Sequence, residues 1–252
     1  MSKTFIIDCF AENRDSYPKD YAVIAIDVIR ATTTATTALY LGREIYPAGN
    51  ADEATILAKT LDNPLLMGEM GGHVPYGFQL TNSPVQVMAL TSVPSGYFTN
   101  ASRPLILVSS SGMPLVMSAI NNDATYLSCL RNFKAVAKYV SSRHEKIAII
   151  GAGTRGQFRI EDQIGCAWLA EELLSYGFTS ENERSYDIIK RWSGCSPEEI
   201  RKGDSAKYLT RSGQVHDLEF VLHHVDDLNV VPLYRGRHFE DALRIKRACA
   251  DE

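Results

Sequence analysis

Three times along the chain a short aliphatic run enters a loop of small and polar residues and then a helix-like stretch. Residues 22–27 lead into Asp27-Val-Ile-Arg30-Ala-Thr-Thr-Thr34, with Ala35–Leu41 helical beyond. Pro104–Val108 leads into Ser109-Ser110-Ser111-Gly112 and a helix over Met113–Ile120. Lys146–Ile150 leads into Gly151-Ala-Gly153-Thr154-Arg155-Gly156 and a helix across roughly Glu161–Ser175. Strands alternating with helices predict an α/β fold, with a largely parallel or mixed sheet flanked by helices in three layers. The 252 residues fit one domain over 1–252, or two closely packed lobes dividing near 141–146. In such sheets the loops leaving the strand C-termini line the edge where ligands bind. The three loops are therefore expected to converge on one site.

The first junction carries the most chemistry. Asp27, Arg30 and the hydroxyls of Thr32, Thr33 and Thr34 are delivered where a buried strand meets a helix start. That position presents unpaired backbone N–H groups and the positive end of the helix dipole, which favour anions. Asp27 suits a hard cation such as Mg²⁺, and Arg30 suits bidentate contact with an oxyanion. A phosphorylated ligand held with a metal is the expectation; a plain N-capping and packing role for the threonines stays open. A strand-terminal Asp that itself accepts a phosphoryl group carries a second Asp two positions on. Here that residue is Ile29, so Asp27 reads as a metal ligand rather than a nucleophile.

The second and third loops add Ser109, Ser110, Ser111, Gly112, Gly153, Thr154, Arg155 and Gly156 as candidate ligand contacts. Gly151–Gly156 is a literal G-x-G-x-x-G after a strand. A dinucleotide unit also needs an acidic residue on a second strand about 20 residues on, and here that distance falls inside the helical pattern Trp168–Leu174. With Arg155 present the loop reads as an anion cradle, with a ligand-free tight turn as the alternative. Glu161 and Asp162 follow near a helix start, where acids ordinarily complement the dipole. Beside an anion loop one of them becomes a metal ligand or base, Asp162 first and Glu161 in reserve, because adjacent helical positions diverge. The long glycine-rich stretch Gly68–Pro84 supplies Glu69 as a further metal carboxylate, and long structureless segments are commonly functional. Its Asn82 and Ser83 would bind ligand or cap the next helix, and His73, lacking a matched partner, reads as a polar loop contact. Cys195–Arg201 has C-x₅-R spacing, but Ser196-Pro197-Glu198-Glu199 is a capped helix start whose acids would repel a phosphate.

Composition narrows the partners. A net charge of −4 carries no signature of nucleic-acid binding, and no apolar run approaches the ~20 residues that span a bilayer. The opening residues read as a first strand rather than a secretion signal. Five scattered cysteines without a C-x-x-C pair read as free thiols in a reducing cytoplasm; homo-oligomerisation is left open. Supporting elements are a helix over Asp52–Leu61 and one over Tyr126–Val140 with Leu127, Leu130, Phe133, Val136, Ala137 and Val140 on one face. A polar excursion follows over 180–215, then a helix over His216–Asp226, a strand over Val230–Tyr234 and a basic tail.

Together these motifs resemble the 2-phosphosulfolactate phosphatase family. The resemblance rests on Asp27–Thr34, on Gly68-Glu69 with Gly77-Phe78 and Asn82-Ser83-Pro84, and on Ser109–Gly112. It continues through Leu130-Arg131-Asn132 with Ala135-Val136-Ala137, Gly151–Thr154 with Gly156, Glu161-Asp162, Lys207–Leu209, Gly213, Asp217-Leu218 and Val231-Pro232. It implies a cytoplasmic, Mg²⁺-dependent α/β hydrolase of a small phosphorylated acid, of the kind linked to coenzyme M biosynthesis. The chain departs from the pattern at Ser111 and Met113, where Asn and Thr are expected, at Gln79 in place of Asp, and at His73 in place of Lys or Arg. The residues thus support the phosphate end of such a substrate more fully than a sulfonate end.

The expected chemistry is metal-assisted hydrolysis of a phosphate monoester. Asp27, Glu69 and Asp162 would hold Mg²⁺, while Arg30, Arg155, the three threonine hydroxyls and loop N–H groups stabilise phosphoryl charge. Water is the expected nucleophile, since no Ser or Cys with an adjacent base is identifiable, and Asp162 is the expected proton acceptor. The rival readings are a non-catalytic or altered-specificity homologue binding a small anion, and an NAD(P)-dependent oxidoreductase built on Gly151–Gly156.

Overall fold

All five residues of Ala22–Ile26 are buried, as a continuous apolar run requires in a parallel strand covered on both faces. In a computed structural model that describes residues 3–9, 17–92, 103–154 and 156–248, this run is the second of ten strands. The first half of the chain comprises β1 (Thr4–Asp8), β2 (Ala22–Ile26), α1 (Ala31–Tyr40), β3 (Ile45–Ala48), α2 (Ala51–Ala58), β4 (Leu65–Gly68), α3 (Pro84–Ser92), β5 (Leu105–Val108) and α4 (Gly112–Ala119). Then come β6 (Ala124–Ser128), α5 (Phe133–Ser141), β7 (Lys146–Gly151), α6 (Ile160–Ser175), β8 (Thr179–Ser180) and α7 (Glu183–Trp192). A 3₁₀ segment (Pro197–Lys202), α8 (Asp204–Arg211), α9 (Val215–His223), β9 (Pro232–Tyr234), β10 (Phe239–Asp241) and α10 (Ala242–Ala248) complete it.

The strands form one mixed sheet in the order β4-β5-β3-β10-β9-β6-β2-β7-β1-β8. Two parallel blocks, β4-β5-β3 and β6-β2-β7-β1-β8, are joined by the antiparallel hairpin β9–β10. The hairpin meets the blocks through Phe239 opposite Ile45 and Tyr126 opposite Leu233. One core contains Val23, Ala25, Ala148 and Ile150 from the larger block together with Ile45, Leu65, Leu105 and Leu107 from the smaller. The sheet therefore curls, in the sense its twist dictates, so that both blocks face α1 and α4 between them. A second core packs α5, α6 and α9 against the outer face of the larger block, and a third packs α2 on the smaller. The result is a three-layer α/β fold, and the segment 141–146 joins α5 to β7 inside the larger block.

Local sequence explains most elements. Asn50 caps α2 by accepting the Glu53 N–H, and Ser196 accepts the Glu198 N–H at the 3₁₀ start with Pro197 behind it, as its capping pattern predicts. The single helix expected over Tyr126–Val140 is two elements: Ala124–Ser128 is β6 and the helix begins at Phe133. Leu127 alternates into the sheet, while Phe133, Val136, Ala137 and Val140 do share a buried helical face, so the 3.6-residue period holds only over its second half. Residues 180–215 are not an excursion: Ile188, Ile189, Ile200, Ala206 and Leu209 are buried in the outer core. Their amphipathic helices bury few but large side chains, which a polar average conceals. Among the described residues no helix is long and apolar enough to cross a membrane, and Cys9, Cys129, Cys166 and Cys195 are free thiols; Cys249 lies outside the described residues.

Candidate active site

The loops leaving β2, β4, β5 and β7 meet α8 around a cavity of about 680 Å³. Its wall includes Asp27 and Arg30 from the first loop, Glu69–Gly72 from the loop after β4, and Ser110 and Ser111 from the loop after β5. Gly153, Thr154 and Asp162 come from the loop after β7 and the first turn of α6. The three strand-end loops thus share one cavity. What they contribute differs from the expectation.

Three carboxylates tie these loops together, each accepting backbone N–H groups. Asp27 Oδ1 accepts from Ala31 N at 3.3 Å, and the Gly112 backbone at the start of α4 packs against this carboxylate. Asp162 Oδ1 accepts from Val28 N at 2.9 Å and its Oδ2 from Gly153 N at 3.2 Å. Glu69 Oε1 accepts from Ser110 N at 2.9 Å, and its Oε2 accepts from Gly72 N at 2.7 Å and the Ser110 hydroxyl at 3.0 Å. The N–H groups expected to cradle a ligand anion are therefore spent on the protein's own acids. In the G-x-G-x-x-G loop, Ala152 N donates to Ile26 O and Thr154 N to Gln157 O. A Cβ on Gly153, at φ +57°, would stand 2.9 Å from the Cys9 and Gln157 carbonyl oxygens. That glycine serves a chain–chain approach, not one to a pyrophosphate.

Crowding the acids has an electrostatic consequence. Burial, with Glu69 next and Glu161 behind it, pushes the Asp27 carboxyl up to about 7. Burial and then Asp27 raise Asp162 well above the carboxylate range. Glu161 is raised by burial, against the opposing effects of Ser205 and Arg159, and neither of its carboxylate oxygens has a hydrogen-bond partner. Like charges this close in a low-dielectric site resist joint ionisation unless a cation offsets them.

Arg30 lines the cavity, but its charge is matched. Its Nη1 donates to Asp217 Oδ2 at 2.5 Å and to Gln214 Oε1 at 2.5 Å, both ends of the ion pair being 5% exposed. The Ser83 hydroxyl donates to the other Asp217 oxygen. The peptide between Ile29 and Arg30 is cis.

Thr32, Thr33 and Thr34 are buried in α1 and do not reach the cavity wall. The Thr32 hydroxyl donates to Asp27 O and accepts from Asp27 N, and Thr33 donates to Val28 O. Thr34 Oγ1 is buried without a partner. Hydroxyls in a helix's first turns turn back onto nearby backbone groups, and that local bond wins here over ligand contact. Ser109 likewise faces inward, accepting the Met113 N–H at 2.8 Å, while Gly112 packs directly on Asp27. Ser110, Ser111, Gly153, Thr154 and Asn82 do line the cavity, whereas Gly156 does not; Arg155 lies outside the described residues. Of the four departures from the family pattern, only Ser111 lines it. Met113 is buried in the central core, Gln79 Oε1 accepts the Leu66 N–H, and His73 contacts the Gly71 carbonyl.

Sequence reasoning missed one whole wall: Gln157, Arg159, Asp204, Ser205, Tyr208 and Leu209. Four of these six residues fall in the polar stretch 180–215, where helical amphipathicity was the available signal, Ala206 and Leu209 being buried. The Tyr208 hydroxyl donates to Gly72 O at 3.0 Å, joining α8 to the loop after β4. A Cβ on Gly72, at φ +86°, would stand 2.3 Å from that hydroxyl oxygen.

Among the described residues, four carboxylates (Asp27, Glu69, Asp162, Asp204) line the cavity against two guanidiniums (Arg30, Arg159). Among the described residues no three His, Cys, Asp or Glu side chains form a ready metal cage. Mg²⁺ ordinarily needs only one or two carboxylates, with waters and substrate phosphate completing its shell. A carboxylate offers about four lone-pair positions, so Asp27 and Asp162 keep capacity after their N–H bonds. The residues fit that ion.

The family described as 2-phosphosulpholactate phosphatase matches residues 9–237. A relative from Carboxydothermus hydrogenoformans named "Probable 2-phosphosulfolactate phosphatase" is 31% identical over 91% of this chain and 94% of its own. One of the same name from Caldanaerobacter subterraneus is 30% identical over 85% and 88%. The "2-phosphosulfolactate phosphatase" of Methanothermobacter thermautotrophicus is 27% identical over 89% and 91%. The chain belongs to the 2-phosphosulfolactate phosphatase family.

Proposed function

We propose that this chain is a Mg²⁺-dependent phosphoric monoester hydrolase acting on a small phosphorylated hydroxy acid of the 2-phosphosulfolactate type. Family membership supports the reaction class. The observation that supports the metal is the crowding of Asp27, Glu69 and Asp162 in one cavity, where burial and mutual repulsion raise the carboxyls of Asp27 and Asp162. An anionic phosphate approaching the strand-end loops meets acids and the N–H groups bonded to them, a repulsion that a cation held there would offset. Mg²⁺ there would supply Lewis-acid charge on the phosphoryl oxygens, held by Asp27 with Glu69 or Asp162.

The chain's own residues set the geometry. Asp162 holds the β2 and β7 loops in register through Val28 and Gly153, and Glu69 does the same for the β4 and β5 loops. Ser110, Ser111 and Thr154 present hydroxyls to the cavity, and the buried Arg30–Asp217 pair anchors the first loop to α9. With Asp27 taken up in holding the cation, Asp162 is the acid left to accept the proton from water.

The test is phosphate release from 2-phosphosulfolactate with Mg²⁺ and with chelator. Asp27→Asn should lower kcat by at least about 100-fold, the order lost with one charge-stabilising group, while circular dichroism shows a retained fold. Wild-type protein that releases no phosphate with Mg²⁺, or releases it equally in chelator, refutes the proposal.

A further inference from the structure

Most polar groups of the cavity wall are engaged with one another. Among its described residues two buried polar atoms have no hydrogen-bond partner: Asn82 Oδ1 and Arg159 Nε. Asn82 is 2% exposed. The two guanidiniums among these residues differ sharply. Arg30 is neutralised by a buried carboxylate at 2.5 Å, whereas the nearest acid to Arg159 is Asp204 at 3.6 Å, whose side chain is 72% exposed. A solvated carboxylate at that distance offsets little of a guanidinium's charge. Arg159 therefore brings an unpartnered buried donor, and a charge offset by exposed Asp204 and by nearby Glu161, to a cavity otherwise dominated by acids.

That combination is costly unless a ligand uses it, because a buried donor without a partner carries its full desolvation penalty. A guanidinium's planar fork matches a carboxylate or sulfonate. Asp27 and Glu69 lie on the strand-end loops and Asp162 in the first turn of α6, while Arg159 stands just ahead of that helix and faces Asp204 at the start of α8. We infer that Arg159 is the specificity-determining residue that binds the acid group of the substrate that is not hydrolysed, and that this group displaces Asp204. The inference rests on the hydrolase reading above and adds to it the recognition of the substrate's far end. It also explains why departures at His73, Gln79 and Met113, all outside the cavity wall, leave such recognition intact.

The test pairs kinetics with calorimetry. Arg159→Gln should lower kcat/KM on 2-phosphosulfolactate by about 100-fold, the order expected when one partner of a desolvated charge pair is truncated. Arg159→Lys should recover part of the loss, since it restores charge without the fork. By calorimetry with Mg²⁺, 3-sulfolactate should bind wild-type protein and lose affinity in Arg159→Gln, while inorganic phosphate binds both within threefold. Running 2-phospholactate in parallel separates the two acid groups: a shared loss assigns the carboxylate, a loss confined to the sulfonated ester assigns the sulfonate. Equal weakening of phosphate and 3-sulfolactate, or no loss with either ester, overturns the inference. Should wild-type protein hydrolyse neither ester, the hydrolase reading fails and calorimetry alone decides Arg159: 3-sulfolactate binding that depends on it upholds the anion site. Absence of that binding, or binding independent of it, overturns the site.

Discussion

Replacing Gly112 by alanine sets two effects of opposite sign against each other. On helix propensity alone the variant gains up to about 1 kcal/mol, because glycine is the poorer helix former, and Gly112 is not among the positive-φ residues. Against this, the new Cβ would stand 2.5 Å from Asp27 Oδ2 and 2.9 Å from both Asp27 Cβ and Ala31 Cβ. Asp27 and Ala31 are buried, and the carboxylate cannot withdraw without releasing the Ala31 N–H group. Overpacking costs about 1–3 kcal/mol, and a lost hydrogen bond to a charged acceptor about 1.5–3 kcal/mol. The net expectation is a destabilisation of roughly 2–5 kcal/mol by urea unfolding, with phosphate release down about 100-fold, the effect of a ~1 Å misplacement. In an Asp27→Ala background Oδ2 is gone, so the penalty should shrink by roughly 1–3 kcal/mol. A Gly112→Ala protein as stable as wild type, with activity within threefold, refutes the claim that α4 is built against this carboxylate.

The raised Asp27 carboxyl predicts a pH effect of definite sign. Its folded value near 7 exceeds the unfolded value of about 3.9, so the folded protein holds a proton that the unfolded chain releases. In chelator, wild-type stability relative to Asp27→Asn should fall as pH rises from about 4 to about 7 and level off above; a flat difference contradicts the shift, and Mg²⁺ should reduce the slope. Asp217→Asn removes the negative partner of buried Arg30 and should cost about 3–5 kcal/mol in urea unfolding, a loss under 1 kcal/mol counting against the pair. Thr34→Val deletes a buried hydroxyl that has no partner and should leave stability and phosphate release unchanged. Thr32→Val, which loses both bonds to the Asp27 backbone, should cost about 1–3 kcal/mol; lost turnover in Thr34→Val at unchanged stability would return that hydroxyl to the substrate.

The alternation of strand, loop and helix was legible because each buried strand is short, apolar and followed by a glycine- or threonine-rich turn. The identities of Asp27, Glu69 and Asp162 were legible too, as acids placed directly after strands or at a helix start. Their partners were not. Whether an N–H group faces a ligand or a neighbouring carboxylate depends on loops from β2, β5 and β7 meeting in space, and no local pattern encodes the Gly112–Asp27 or Val28–Asp162 contact. Tyr126–Val140 shows the opposite error: Leu127 and Leu130 fit a helical period by coincidence while β6 claims the first residues. The α8 wall was missed because a polar segment averages out its few buried anchors, Ala206 and Leu209.

The hairpin β9–β10 has a bearing on when this site comes into being. Among the described residues the smaller block, which carries Glu69 and Ser110, is joined in the sheet to the larger block, which carries Asp27, only through strands drawn from Pro232–Asp241. Phe239 must find Ile45, and Leu233 must find Tyr126. Pairings so distant along the chain form slowly, because the intervening loop must be closed before any contact rewards it. A nascent chain can thus assemble each parallel block as it emerges, yet the blocks gain a common sheet only after residues near 240 have left the ribosome. Glu69 is then the carboxylate brought to Asp27 and Asp162 last, when the core of each block is already in place to hold it.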